Sequence, residues 1–226
     1  MSLEETIRDI EETVSTVARN ITDGAVRVWN GIRNRLKSFC RSIRDLWNDE
    51  TQEMRPDAPD EQEIARRVAV ANLVRRRIGD APISVLRDAL PEDRKRILQD
   101  LATEICRELH MPSITIESLE TEPGIAGYYD LAGDRVVVGT NEVLRVPMDS
   151  DDAAELLDTL LHELYHRFQH HAIQDPAGMG VNPMQAALWE QNFENYISSS
   201  QSPRLYWIQP VEVTARCFAH AVVQNF

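Results

Sequence analysis

Residues Ala153 to His171, AAELLDTLLHELYHRFQHH, decide how the rest of this chain is read. Leu156, Leu157, Leu160, Leu161, Leu164 and Phe168 recur at helical spacing, and Ser150, Asp151 and Asp152 precede them as N-cap candidates. One long amphipathic helix is therefore predicted. His162 and His166 stand four apart, which brings their Cβ atoms to about 5–6 Å on one helical face. Two imidazole nitrogens so placed can ligate a single metal ion. Glu163, rotated by about 100° around the helix, can reach that ion's open position. A chance occurrence of His-Glu-x-x-His has no reason to fall in an amphipathic helix. Here the leucines bury one side and both histidines share another.

The residue set suits hydrolysis assisted by Zn2+. Zinc lowers the pKa of a water from roughly 15.7 to about 7 and polarises a carbonyl. Glu163 is then the expected general base, returning its proton to the leaving amine.

A catalytic zinc needs a third protein ligand and one open position. The extended pattern HExxHxxGxxH fails, because Gln169 stands where the glycine belongs and Ala172 where the third histidine belongs. The third ligand must come from elsewhere. Glu212 is the first candidate, at the start of an apolar helix expected from Pro210 towards Asn225, with the small Ala215 one turn on. A carboxylate there is also favoured simply by the helix dipole. Glu190 and Glu194, on a helix expected over Pro183 to Ile197, are the alternatives.

His162 to His166 followed by Glu212-Val213-Thr214-Ala215 resembles the HExxH and ExxA pair of gluzincin-type zinc metallopeptidases, in particular compact single-domain bacterial and phage members. Glu212 to Ala219 (EVTARCFA) also resembles the corresponding helix of ImmA/IrrE-like peptidases. Trp189, Asn192, Asn195-Tyr196 and Gln209-Pro210 are similar to the equivalent region of uncharacterised bacterial proteins of this type. The similarity covers roughly residues 114–226. It implies an α+β fold with a zincin-like core: a small sheet, an HExxH helix and a second helix carrying a glutamate ligand. It implies a peptidase that binds Zn2+ through His162, His166 and Glu212. Two features depart from the family: Arg216 stands where many members carry an aspartate that orients the first histidine, and the stretch between the motif and Glu212 is longer than in the smallest members.

Zincins usually supply a donor to the developing oxyanion. Tyr206 and Tyr196 are the candidate phenols, although an aromatic beside a helix more often packs. Tyr206 is taken as the catalytic one. His170 continues the face of His162 and His166 and could line the cleft, or sit as a polar residue near the helix end; His171 is the weaker candidate. Arg216 is expected to pair with Glu212 or another carboxylate. The strand expected at Arg135 to Gly139 is read as an edge able to hold an extended peptide.

The flanking sequence sets the organisation. Leu3, Ile7, Ile10, Val14, Val17 and Ile21 form one helical stripe, and Val28, Ile32, Leu36, Phe39, Ile43 and Trp47 a second. Residues 1–47 are thus expected to form an amphipathic helical hairpin. Its second helix lacks acidic residues between Gly24 and Arg44, so residues 24–44 could also contact a membrane or an acidic partner. Residues 48–62 hold two prolines and six acidic residues with a single arginine, and are read as a linker. The catalytic domain is expected over 63–226. It should begin with helices through Ile64–Ile78 and from Pro91, then strands at Ile114–Ile116, Gly127–Tyr129 and Arg135–Val138, with a hairpin turn at Leu131–Asp134.

A net charge of −13 over 226 residues argues against nucleic acid as partner, since binding a phosphate backbone needs a positive footprint. Cys40, Cys106 and Cys217 show no paired spacing and read as thiols in a reducing compartment. The acidic start Met1-Ser2-Leu3-Glu4-Glu5 lacks signal-peptide features, so a cytoplasmic location is expected, with export lacking such a signal left open. The expected function is a zinc-dependent peptidase acting on a peptide or protein. Its rivals are a non-catalytic zincin-like binding module and a peptidase anchored through residues 24–44.

Overall fold

The computed structural model describes residues 60–122 and 125–226. The expected hairpin over 1–47 and all but the end of the expected linker lie outside them. The described chain is α+β, eight helices and a three-stranded sheet among these residues.

Helix α1, Glu61–Ile78, begins inside the segment read as linker. Asp60 caps it by accepting the Glu63 amide at 2.7 Å, and Gly79, at φ +89°, ends it. The short α2, Pro82–Asp88, lies between the two expected helices and starts on a proline. Helix α3 spans Pro91–Glu108, with proline at its start and Glu92 and Asp93 in its first turn. It buries Leu98, Leu101, Ala102 and Ile105.

Strands β1 (Thr115–Leu119), β2 (Gly127–Asp130) and β3 (Arg135–Gly139) follow in the order β1-β3-β2. Strand β3 pairs in parallel with β1 and antiparallel with β2. This corrects the expectation that Arg135–Gly139 is an edge. Val136, Val137 and Val138 are all fully buried, which an uninterrupted apolar run allows only in a strand covered on both faces and both sides. The edges are β1 and β2, and β2 lies against the motif helix. A Cβ on Gly127 would stand 2.7 Å from the Thr159 methyl and 2.6 Å from the Val137 carbonyl oxygen, so only glycine permits this approach. The hairpin turn falls at 131–134, as expected, with Asp130 accepting the amides of Ala132 and Gly133.

Helix α4 (Thr140–Val143) leads through a loop to α5, Ser150–Gln174. The N-cap of α5 is Asp149, one residue before the candidates, and Asp152 completes a capping box with it. The helix also continues three residues past His171. Every residue from Leu160 to Gln169 is buried, so α5 is enclosed on all sides and not packed along one stripe.

Two buried arginines hold α5 in place. Arg94 on α3, 2% exposed, donates to the carbonyls of Leu86 and Arg87 in the last turn of α2, and to those of Val143 and Arg145 before α5. Arg167, in α5 and fully buried, makes a two-pronged pair with Asp134 at 2.7 and 2.8 Å and donates to Pro112 O, anchoring the β2–β3 turn. Asp134 sits at φ +44°, a conformation aspartate tolerates better than most residues. The Arg167 charge holds its carboxyl below the usual carboxylate range.

Beyond α5 come α6 (Pro183–Glu194), α7 (Pro203–Ile208) and α8 (Pro210–Val223). Helix α6 stops three residues short of the expected Ile197, and α7, capped by Ser202 with Pro203 in its first turn, follows after a polar stretch. Helix α8 packs on α5 by burying Val211, Ala215, Phe218, Ala219 and Val222, and Phe218 stacks on Tyr165 at 4.5 Å. Among the described residues no helix is long and apolar enough to cross a membrane.

Candidate metal centre

The crossing of α5 and α8 brings together one residue pair and one residue distant in sequence. His162 Nε2 and His166 Nε2 face each other at 2.9 Å, and Glu212 presents Oε2 at 3.2 Å from the first and Oε1 at 3.3 Å from the second. All three residues are buried, Glu212 to 1% exposure. They form a group able to hold a metal ion, the one such group among the described residues.

The donor set fits. Ligand atoms at about 2.0–2.1 Å from a tetrahedral ion lie about 3.3–3.4 Å apart, close to the spacings here. Glu212 Oε2 is buried and accepts no hydrogen bond, a costly arrangement for a carboxylate unless a cation compensates it. Burial raises the Glu212 pKa, but the two histidines beside it, through close contact and charge, outweigh burial and keep the carboxyl far below its ordinary range. Burial likewise disfavours protonated His166, yet Glu212 and the Glu163 charge lift its pKa to about 9. The cluster is thus built to hold positive charge between its donors.

Glu190 and Glu194 are exposed on α6 and stand outside the group. Glu163 is 8% exposed and lies close enough that its charge acts on His166 and on the hydroxyls of Tyr196 and Tyr206. Both tyrosines lie beside the third ligand, Glu212. Tyr196 donates to Glu212 Oε1 at 2.7 Å, and the Tyr206 ring meets the Tyr196 ring edge-on at 6.3 Å. Burial, reinforced by Glu212, pushes both phenols well above their ordinary pKa.

The position of Tyr196 is set by residues the sequence reading quoted without a role. Gln209, the N-cap residue of α8, accepts from Asn192 Nδ2 and the Ile197 amide and donates to Ile197 O. Asn192 in turn accepts the Val211 amide at 3.0 Å. These bonds fix the loop after α6 against the start of α8. Arg216 places Nη1 at 4.0 Å from Glu212 Oε2 and lies over the Trp207 ring at 4.0 Å, so it adds positive charge beside the ligand instead of orienting a histidine.

The residue that the sequence reading passed over is Gln169, noted only as the position where an extended motif fails. It is fully buried and touches His166. Its signal was a polar side chain one turn after a ligand on a face that should be apolar.

His170 does line this region, stacked on Phe193 at 4.0 Å and 5.7 Å from Tyr129 of β2. His171 lies away from the group. Burial and the neighbouring His166 and His171 charges lower the His170 pKa to about 4. Above pH 6.5 the ring is neutral in both folded and unfolded chains and costs nothing. Between about pH 6.5 and 4 the unfolded chain takes up a proton that folded His170 refuses, so stability falls as pH falls. After discounting for its partial exposure, about 1–3 kcal/mol should be lost over this range. His170→Gln should remove that portion of the slope in urea denaturation compared at about pH 7 and about pH 4.5.

No protein-family model, no curated protein and no solved structure matches this chain.

Proposed function

We propose that this chain is a zinc-dependent peptidase with a zincin-like core, in which His162, His166 and Glu212 hold the ion and Glu163 is the general base. One juxtaposition carries the proposal: three buried ligand side chains converge with their donor atoms 2.9–3.3 Å apart, beside a second carboxylate, Glu163, that is not one of the ligands. Two imidazoles and a carboxylate are a donor set that suits zinc. Zinc held there supplies Lewis acidity, polarising a carbonyl and lowering the pKa of water to about 7.

The remaining roles fall to the chain. Glu163 follows the first ligand directly, and its charge is felt by both tyrosines. It takes a proton from water at the cluster and hands it to the departing amine. Tyr206, kept protonated by its raised pKa, donates to the carbonyl oxygen as negative charge develops there. Tyr196 donates to Glu212 and holds that ligand's rotamer. Strand β2, an edge against α5, offers backbone groups for an extended substrate, the part first given to β3.

The test is hydrolysis of a peptide library by the wild type and by Glu163→Gln, with and without a chelator and with zinc content measured in both proteins. Cleavage that a chelator stops and added zinc restores supports the proposal. Cleavage indifferent to the chelator would falsify it.

A further inference from the structure

Gln169 has two faces and both are engaged. Its amide nitrogen donates to Val211 O at 2.9 Å and to Thr214 Oγ1 at 2.8 Å, both on α8 and flanking Glu212. Thr214 spends its own hydroxyl proton on Pro210 O at 2.8 Å, so its oxygen is free to accept. With both nitrogen positions bound to acceptors, the Gln169 oxygen must face the other way. It lies 2.9 Å from His166 Nδ1. An amide oxygen only accepts, so His166 must carry its proton on Nδ1. In the neutral ring, the form that ligates a metal, that leaves the lone pair on Nε2, the atom that converges with His162 Nε2 and Glu212.

We propose that Gln169 is a positioning residue: it keeps the His166 proton on Nδ1, frees Nε2 for the metal, and locks the motif helix to the turn of α8 that carries Glu212. The role rests on the metal-centre reading above. It also explains why an amide stands here. A carboxylate would orient the ring equally well but would add a further buried negative charge beside Glu163 and Glu212, and it could not donate to both Val211 O and Thr214 Oγ1.

Two readouts test this in the full chain. The first is zinc affinity by competition with a chromophoric chelator. The second is solvent exchange of the His166 Nδ1 proton by NMR, followed with and without zinc. The wild type should show a slowly exchanging Nδ1 proton in both states. Gln169→Leu should lose that protection and bind zinc about 10–100-fold more weakly. Gln169→Glu, which restores the acceptor, should recover the protected proton and part of the affinity. Thr214→Val removes one of the two anchors without touching the ring, and should give a smaller loss of both readouts should the leucine variant not fold. A folded Gln169→Leu protein with wild-type proton exchange and wild-type zinc affinity overturns the proposal. A wild type that binds no zinc defeats the metal reading instead, while the proton exchange still decides whether Gln169 positions the ring.

Discussion

Glu163→Gln is expected to lower kcat for peptide hydrolysis by about 10²–10⁴-fold while zinc content stays at the wild-type value. The substitution keeps the size of the side chain and removes only its ability to take a proton. Glu163 is not among the three converging donors, so the metal has no reason to leave. KM should change little, because the amide has nearly the same size and shape as the carboxylate. A loss of less than tenfold would show that another group abstracts the proton, and loss of zinc from the variant would place Glu163 among the residues that assemble the centre.

Arg94→Met should destabilise the fold by about 3–5 kcal/mol. The methionine fills much of the same volume but leaves the carbonyls of Leu86, Arg87, Val143 and Arg145 without their donor. Among the described residues no carboxylate bonds to this guanidinium; its counter-charge is the negative ends of α2 and α4, and burial lowers its pKa. Arg94→Lys should recover part of the loss, since an ammonium keeps the charge but cannot span four carbonyls. Urea denaturation reads both variants; a cost below about 1 kcal/mol for methionine would mean that water replaces the arginine freely. Because the carbonyls of 143 and 145 lie just before the α5 cap at Asp149, weakened zinc binding is also expected near the transition.

Much of the site is legible in local sequence. The four-residue spacing of His162 and His166, the following Glu163 and the leucines around them specify a helix and two ligands with no knowledge of the fold. Glu212 is only half legible. Its place in the first turn of an apolar helix is visible, but Glu190 and Glu194 also follow the motif, and what separates them is burial: α6 exposes both, while α8 turns Glu212 against α5. Burial is a property of helix crossing and has no signature within either helix alone.

Gln169 was hidden for the same reason. Its partners, Val211 and Thr214, lie 42 and 45 residues away, and a glutamine in a helix looks like surface until α8 covers it. The misread strand is different, because its cue was present. Three consecutive valines do not alternate as a half-exposed edge does, and Val136-Val137-Val138 already pointed to a central strand. The short α2 and α7 gave no periodic cue, as helices of 7 and 6 residues complete too few turns for periodicity to show.

Metal analysis of the wild type beside Glu212→Ala, Glu190→Ala and Glu194→Ala tests the central claim most directly. The converging donors predict about one zinc per chain in the wild type and in both α6 variants, and its loss from Glu212→Ala. Zinc retained by Glu212→Ala at wild-type affinity would contradict the assignment of the third ligand and, with it, the proposed centre.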